Sequence, residues 1–592
     1  MSRSHPEYTA PLADIAFLLC EAKPSVNLED ALFILQQAAN FAEERLATIN
    51  RQGDEEGCQF NQGQVTLPPV MREAFREYAD AGWMGISLPE QWGGQAQSET
   101  LAAGVSEMLT SANHAFSMKP ALTMSACRAL IGHGSEILKS TYLPKMIAGQ
   151  WTGTMCMTEA HCGSDLGLIR SKARAHADHY RIEGSKIFIS SGKHDASDNI
   201  IHLVLARMEG SPLGVKGLSL FLVPEKIQNS NDQWTQDNGV QCIGIEAKMG
   251  IHASPTCAMR FEQSTGYLVG QANGGIQAMF TMMNEMRLGA CLQGVGLSER
   301  AFQKSLGYAR ERTQMRSLTG IKQPEQEADS IIEHPDVRRM LLTQKAFADG
   351  GRALAHFCAQ LLDQVNAARP SADDTKLDNQ ALLDFLTPIA KGFCTETGLE
   401  SASHAIQVFG GHGFVREHGA EQLYRDGRIS TLYEGTSGIQ ALDLLGRKVL
   451  GNQGASLMIF TKMIHRLCKA HETDHALSHL AQQLKPYAKD WSDLSMNIGV
   501  KAMQEHDEVG SASYDFLMYS GYVVLGYFHL NNAILANKRL AAGATQAEFG
   551  MDAAFLKHKA QLAEFYFARI LPRTQSLKAT MTASVDSLAP AW

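Results

Sequence analysis

The apolar residues of this chain change their spacing twice. In the first part, Leu28, Leu32, Leu35, Ala38 and Phe41, and later Phe75 and Tyr78, recur at helical intervals. After Trp151 they come instead as short β-type runs, at 180–182, 187–190, 200–206, 218–223 and 257–261, separated by loops such as 211–217 and 228–239. From Met282 the helical interval returns in the stripe Leu288, Leu292, Val295, Phe302, Leu306 and Ala309. It holds to the end through Phe516, Tyr519, Val523 and Tyr527, and then Phe555, Leu562, Phe565 and Ile570. Such a chain is mainly α with a central β barrel or sandwich. The expected segments are a helical 1–150, a β domain 151–275, a helical 276–452 and, past the glycine-rich 448–454, a further helical 453–592.

Punctuation supports this division. Asn27 with Asp30 reads as a capping box, the polar 51–64 as a loop, and 69–81 as a helix ended by Gly82, Gly85 and the turn Pro89-Glu90-Gln91-Trp92-Gly93-Gly94. A second stop is Ile131-Gly132-His133-Gly134-Ser135-Glu136, followed by Tyr142-Leu143-Pro144.

Composition bounds the function. The 592 residues are enough for three or four domains. Lys and Arg number 53 against 62 Asp and Glu, a formal charge of −9 with no basic block, which argues against a nucleic-acid surface or polybasic anchor. Residues 456–592 hold 13 Lys and Arg against 12 Asp and Glu, and no basic amphipathic helix there suggests membrane attachment. Eleven cysteines without a CxxC pair indicate neither a disulfide framework nor a zinc site, and fit a reducing cytoplasm. The start, with Glu7, Asp14 and only a short apolar run at 15–20, does not read as a secretion signal, and no run is long enough to span a bilayer.

Chemistry concentrates in Tyr433-Glu434-Gly435-Thr436-Ser437-Gly438-Ile439-Gln440. Glu434 follows Ile429, Leu432 and Tyr433 and precedes the apolar Ile439, Ala441, Leu442, Leu444 and Leu445. A carboxylate in apolar surroundings is tuned towards general-base work. Gly435 frees the turn, and Thr436 or Ser437 can cap the following helix. The octapeptide alone serves equally well as a plain helix start, and both readings stand at this point.

Three further stretches carry polar groups suited to a ligand. Met157-Thr158-Glu159-Ala160-His161-Cys162-Gly163-Ser164-Asp165 offers hydroxyls and glycine-freed amides. Arg310-Glu311-Arg312-Thr313-Gln314-Met315-Arg316 is a charged helix end or an anion site. Gln407-Val408-Phe409-Gly410-Gly411-His412-Gly413-Phe414 is a glycine C-cap or a phosphate approach. His161, Cys162 and Cys156 lack partners at ligand spacing, so no metal is expected.

Tyr-Glu-Gly-Thr-Ser with Ile-Gln behind it, preceded by Tyr424-Arg425-Asp426-Gly427-Arg428-Ile429, resembles the catalytic signature of the acyl-CoA dehydrogenases. The likeness continues, in order, through the 89–94 turn, the 131–144 stretch, the 157–165 loop, 310–316 and 407–414, covering roughly residues 30 to 450. The fold it implies is an N-terminal α domain, a β barrel and a four-helix-bundle α domain. The extra C-terminal helices and the opening Tyr8-Thr9-Ala10-Pro11-Leu12 resemble the long bacterial members, which include methylthiopropanoyl-CoA dehydrogenases.

The resemblance implies FAD as cofactor, an acyl-CoA substrate and Glu434 as the α-proton base. Thr158, Ser164, Phe188, Ser190, Arg312, Gln314, Gln407, Gly410, Gly411 and Thr436 fall at FAD positions; Ser164, Arg287, Tyr433 and Gly435 fall at substrate positions. Phe188 and Ser190 replace Trp and Thr, Met155 replaces an aromatic, Met315 and Arg316 replace Phe and Gly, and Gly438 replaces a flavin-contacting glutamine. Glu285 is a rival base, because some members carry theirs immediately before the arginine matched by Arg287; that position is Met286, and one residue is about 100° of helix rotation. An electron-transfer flavoprotein as acceptor and a homo-oligomer, a dimer before a tetramer, are also implied. An oxygen-reducing acyl-CoA oxidase and a DNA-associated relative are the alternatives.

Overall fold

The computed structural model describes residues 7–22, 27–367, 374–474, 476–543 and 550–590. Residues 1–6, part of the secretion-signal argument, lie outside them. The chain forms two compact units: Met1–Glu43, Glu99–Ser111 and Ala290–Trp592 in the first, Glu44–Ser98 and Ala112–Gly289 in the second.

The opening helices are α1 (Leu12–Ala22), α2 (Leu28–Asn40) and α3 (Ala47–Glu56). Asn27 caps α2 by accepting from the Glu29 amide at 3.2 Å, an Asx-type cap and not the box expected with Asp30. The stretch 51–64, expected as a loop, carries the end of α3 and the hairpin β1 (Gln59–Asn61) and β2 (Gln64–Thr66). Its strands are almost wholly exposed, so no apolar alternation marks them. Then come α4 (Pro69–Asp80), with proline at its first position, α5 (Glu99–Ala112), α6 (His114–His133) and α7 (Glu136–Ile147), the last capped by Ser135.

The β domain contains β3 (Trp151–Cys156), β4 (Lys172–His176), β5 (His179–Ser190), β6 (Asn199–Met208), β7 (Leu218–Pro224), β8 (Lys226–Gln228), β9 (Trp234–Asp237), β10 (Val240–Ile245) and β11 (Thr256–Val269). Pairings β11–β5–β4–β6–β7 return to β11 and close a barrel, with β10 and β3 added at its sides. The runs at 180–182 and 187–190 are one strand, and the expected loop 228–239 contains the β8–β9 hairpin.

Alternation along β6 explains its unbroken apolar run. Ile201, Leu203 and Leu205 face a layer containing Leu122, Ala126, Leu130, Tyr142 and Leu143 of α6 and α7, while Val204 and Ala206 point into the barrel with Ile182, Phe221, Met259 and Phe261.

The remaining helices are α8 (Gly275–Glu311), α9 (Pro335–Ala367), α10 (Asp374–Phe409), α11 (Ala420–Gly427), α12 (Ser437–Leu442), α13 (Ala455–Ala470), α14 (Ser478–Ala502), α15 (Asp507–Ala541), α16 (Ala553–Phe565) and α17 (Thr574–Met581). Helix α8 begins well before Met282, so Arg287 lies inside it and not at its start. From Ala290 to Ala301 α8 is buried all round. Close approach makes this possible: a Cβ on Gly294 would lie 2.1 Å from the Cys394 carbonyl of α10. The C-terminal helices join the same unit as tightly, since a Cβ on Gly521 of α15 would meet the Phe393 ring at 2.1 Å. Among the described residues no helix is long and apolar enough to cross a membrane.

Candidate active site

In the β-domain unit, the loop after β3 is braced from below. Glu159 and Cys162 exchange backbone hydrogen bonds at 3.0 Å, and the Ile187 amide donates to the Thr158 carbonyl at 2.9 Å, which ties the loop to β5. Lys186 Nζ, fully buried, donates to Glu159 Oε1 at 2.9 Å and to the Met157 carbonyl at 3.0 Å. Ser171 adds its amide and hydroxyl, and Arg170 its amide, to the same carboxylate. Burial pushes Glu159 up, but Lys186 and these donors outweigh it and hold the carboxyl below its usual range.

Glu159 is therefore a brace. It lies with His161 and Cys162 at cation-binding distance, yet its oxygens are occupied and His161 Nε2 faces the Leu168 carbonyl at 2.9 Å. Above the brace Thr158 is half-buried and Ser164 exposed.

Phe188 stands where β5 slips against β11. Cys257 pairs with Ile189 and Met259 with Lys186, so two β5 residues oppose Ala258 alone. At this bulge Phe188 takes a φ of 59°. Its ring is turned out of the barrel and is 59% exposed. Ser190 is half-buried and pairs with Thr256. A flat aromatic face held outward by strained backbone, with Thr158 tied beside it, fits a planar ring system.

In the same unit Glu285 receives Arg128 Nε at 2.7 Å, and Arg128 also reaches Ser87 Oγ at 2.7 Å. Burial pushes Glu285 up despite Arg128. One of its oxygens is thus occupied by a fixed cation, a poor arrangement for a carboxylate that must swing onto a substrate proton. Arg287 is buried.

In the helical unit, Glu434 and Gly435 form a turn with φ of 56° and 85° between a short 3-10 segment, Arg428–Thr431, and α12. A left-handed φ is uncommon for a residue with a Cβ, and at Gly435 a Cβ would also lie 2.8 Å from Gln440 Nε2. The turn is held through its carbonyls: Gln440 Nε2 donates to the Glu434 carbonyl at 2.9 Å, and Lys391 Nζ of α10 to the Gly435 carbonyl at 2.8 Å. Thr436 Oγ1 accepts from the Ile439 amide at 3.3 Å as the helix cap. Ser437 Oγ donates to Glu396 Oε1 at 2.5 Å.

Tyr433 donates its hydroxyl to Gln293 of α8, and burial pushes its phenol far up. The helix after the turn is shorter than the apolar run suggested: α12 gives way to a π-type turn over Asp443–Val449, and Leu442 is exposed.

Also in this unit, α10 ends at Phe409, and Gly410 and Gly411 have open space where a Cβ would stand. Tyr308 of α8 stacks on Phe409 at 4.1 Å, and its hydroxyl pairs with His412 Nδ1 at 2.9 Å. Gln407, Arg312 and Gln314 are exposed. Arg316 staples the following loop through the Gln323 carbonyl at 2.9 Å and Asp329 at 3.2 Å. Asp329 is held down at about 2, chiefly by the Ser317 amide, with those of Gln323 and Lys322 and the Arg316 guanidinium adding.

The sequence reading missed Lys391, Gln293 and Lys186, and it quoted Gln440 only as the end of the octapeptide, with no role. Of the three missed, Lys391 had a signal, as a lone cation in the apolar run Pro388-Ile389-Ala390-Lys391-Gly392-Phe393.

Comparison with known proteins agrees with this architecture. Residues 29–150 match "Acyl-CoA dehydrogenase, N-terminal domain", 154–264 "Acyl-CoA dehydrogenase, middle domain", 273–450 "Acyl-CoA dehydrogenase, C-terminal domain" and 460–591 "Acetyl-CoA dehydrogenase C-terminal like". The chain is 38% identical over 99% of both lengths to the 3-methylmercaptopropionyl-CoA dehydrogenase of Ruegeria pomeroyi. The chain belongs to the acyl-CoA dehydrogenase family.

Acyl-CoA dehydrogenases are FAD-dependent oxidoreductases, and this chain is one of that class. It is also 30% identical to a butyryl-CoA dehydrogenase of Syntrophomonas wolfei, over 98% of this chain and 99% of the relative. In fold it resembles Caenorhabditis elegans ACDH-11 in complex with C11-CoA, with a TM-score of 0.77 and 18% identity over 100% of this chain and 97% of that one.

Proposed function

We propose that this acyl-CoA dehydrogenase converts an acyl-CoA thioester to the trans-2-enoyl-CoA, with Glu434 as the base that removes the α-proton. The observation that carries the reading is the Glu434–Gly435 turn. It is a strained left-handed conformation held by Gln440 and Lys391, and strain of this kind persists only where the surroundings impose it. Glu285, tied to Arg128, is the weaker candidate.

Bound FAD supplies the acceptor for the hydride that leaves the β-carbon. The residues we assign to it are Thr158, Ser164, Phe188 and Ser190 towards its ring system, and Arg312, Gln314, Gln407, Gly410, Gly411 and Thr436 towards the rest. Phe188 offers its exposed face for stacking. Arg312 offers a planar pair of donors to a pyrophosphate, and the glycines let backbone amides approach one. Ser164, Arg287, Tyr433 and Gly435 are assigned to the acyl-CoA. The Glu434 amide polarises the thioester carbonyl; a donor in that position is worth about 10²–10³ in rate.

Electrons then leave to an electron-transfer flavoprotein. The similarity to the Ruegeria protein supports a short acyl chain, 3-methylthiopropanoyl-CoA first, with butanoyl-CoA next. The working form we infer is a homo-oligomer, a dimer before a tetramer, supported by the exposed apolar Met315, Leu318, Ile321 and Phe414 near the residues assigned to FAD. Eleven free thiols support a reducing compartment, the cytoplasm.

The test is turnover of 3-methylthiopropanoyl-, butanoyl- and dodecanoyl-CoA in air, with and without an electron-transfer flavoprotein. Turnover that requires the flavoprotein and is fastest with a short chain is expected. Peroxide formation at the same rate without it would mean an oxidase.

A further inference from the structure

The base turn is gripped from two helices. Its carbonyls, at Glu434 and Gly435, both point towards the bundle core, where Gln440 Nε2 lies 2.9 Å from the first and 3.3 Å from the second, and Lys391 Nζ lies 2.8 Å from the second. Lys391 and Gln440 are both fully buried. Lysine is almost never fully buried unless its nitrogen is paired. Here Lys391 Nζ holds the Gly435 carbonyl away from competing water.

Gln440 Oε1 finds no hydrogen-bond partner among the described residues. Both of its contacts to the turn come from the amide nitrogen, so the side chain serves the turn at the expense of its own oxygen. Glu396, five positions beyond Lys391 on α10, holds Ser437, the first residue of α12, through its Oγ.

The peptide geometry extends the consequence. No described peptide bond is cis, and in a trans peptide the C=O and N–H point in opposite directions. With the Glu434 carbonyl fixed inward by Gln440, the Gly435 N–H is fixed outward. With the Gly435 carbonyl fixed inward by Lys391, the Thr436 N–H is fixed the same way. One pair of side chains thereby sets the backbone from which the Glu434 carboxylate departs and the direction of the amides that follow it.

We propose that Lys391 and Gln440 are positioning residues for the α-proton base, holding the left-handed Glu434–Gly435 turn through its two carbonyls. The proposal rests on the dehydrogenase reading above, with Glu434 as base. Neither side chain touches the reacting atoms. Their effect is to keep the carboxylate in one orientation, which raises the fraction of encounters that lead to proton transfer and changes binding of the thioester, to which Gly435 is assigned, far less than it changes kcat.

The experiment compares wild type with Lys391→Met, Lys391→Arg and Gln440→Leu, each purified with its flavin, using butanoyl- and 3-methylthiopropanoyl-CoA and an artificial electron acceptor. Lys391→Met is expected to lower kcat about 100-fold, the size of effect that loss of orientation produces, while KM stays within about twofold and the flavin-to-protein ratio is unchanged. Lys391→Arg, which keeps a charged donor, is expected to recover about tenfold of that loss. Gln440→Leu is expected to lower kcat about tenfold, again without moving KM, and it keeps the proposal testable if Lys391→Met fails to fold. Crystals of Lys391→Met should show φ at Glu434 leaving the left-handed region.

Wild-type kcat in both Lys391→Met and Gln440→Leu would overturn the proposal. So would a fall in kcat that merely tracks loss of flavin or of folded protein. Absence of wild-type turnover with every thioester overturns the dehydrogenase reading itself, whereas an active wild type beside undiminished Lys391→Met and Gln440→Leu overturns the positioning role alone.

Discussion

Lys559 of α16 donates a hydrogen bond to Asp14 of α1, 545 positions earlier in the chain. The pair belongs to a buried network in which Asp14, Glu107, Glu299 and Asp349 face Lys345, Arg352 and Lys559. Arg352 forks onto Glu107 at 2.6–3.0 Å and reaches Glu299 at 2.8 Å; Lys559 also reaches Asp349 at 2.6 Å. The C-terminal helices are thereby bound to the first helix and to α9 by charge as well as by packing.

Removing one partner of a buried ion pair leaves the other uncompensated. Lys559→Met should destabilise the helical unit by about 3–5 kcal/mol, seen as a lower melting temperature or a lower denaturant midpoint. A change within about 0.5 kcal/mol, the usual range for a surface substitution, would mean that α16 is only loosely attached.

Stability should fall as pH falls from neutrality. Burial pushes His202 and His356 down to about 3 and His529 down to about 4, against about 6.5 in an unfolded chain. Between those limits the unfolded state binds the extra protons. Each such histidine therefore removes about 1.4 kcal/mol of stability per pH unit below 6.5 until its folded value is reached. Asp349 adds a lower window: burial and Asp14 push it up, but Lys345, Lys559 and Arg352 outweigh them and hold it at about 2. Its contribution is complete above the ordinary carboxylate range and is lost as pH falls towards 2. Calorimetry from pH 8 to pH 4 checks the histidine part; a flat melting temperature between pH 6.5 and 5 would contradict it.

Arg312→Ala should loosen FAD without disturbing the fold. Arg312 is exposed, and the backbone bonds it makes, amide to the Tyr308 carbonyl and carbonyl from the Ile331 amide, do not depend on its side chain. After gel filtration the variant should keep the wild-type melting curve once FAD is added back and yet retain less than half of its flavin. Full retention would remove Arg312 from the FAD residues.

How much of this was legible in the sequence depends on the range of the interaction. Elements with an apolar period were legible: 69–80, the barrel strand containing 200–206 and the α8 stripe all follow from spacing. The β1–β2 hairpin was not, because Gln59, Phe60 and Asn61 are all exposed and leave no alternation. The onset of α8 at Gly275 was missed because its first turns mix polar and apolar residues. At the candidate site, Glu434, Gly435 and the Thr436 cap could be read from an octapeptide. The left-handed φ of Glu434 could not, since it is imposed by Lys391, 43 positions away, and by Gln440. The bulge that turns Phe188 outward is a mismatch in register between β5 and β11, and no single strand encodes it. The ion network is the extreme case, for nothing near Asp14 announces Lys559.

The most direct test of the central claim is anaerobic titration of wild type and Glu434→Gln with 3-methylthiopropanoyl- and butanoyl-CoA, following the flavin absorbance. Wild-type flavin should bleach within the mixing time of a manual titration. Glu434→Gln should keep its bound flavin and bleach about 10²–10⁴ times more slowly, the span that a positioned general base contributes. Bleaching of Glu434→Gln at the wild-type rate would contradict the account and move the base to Glu285.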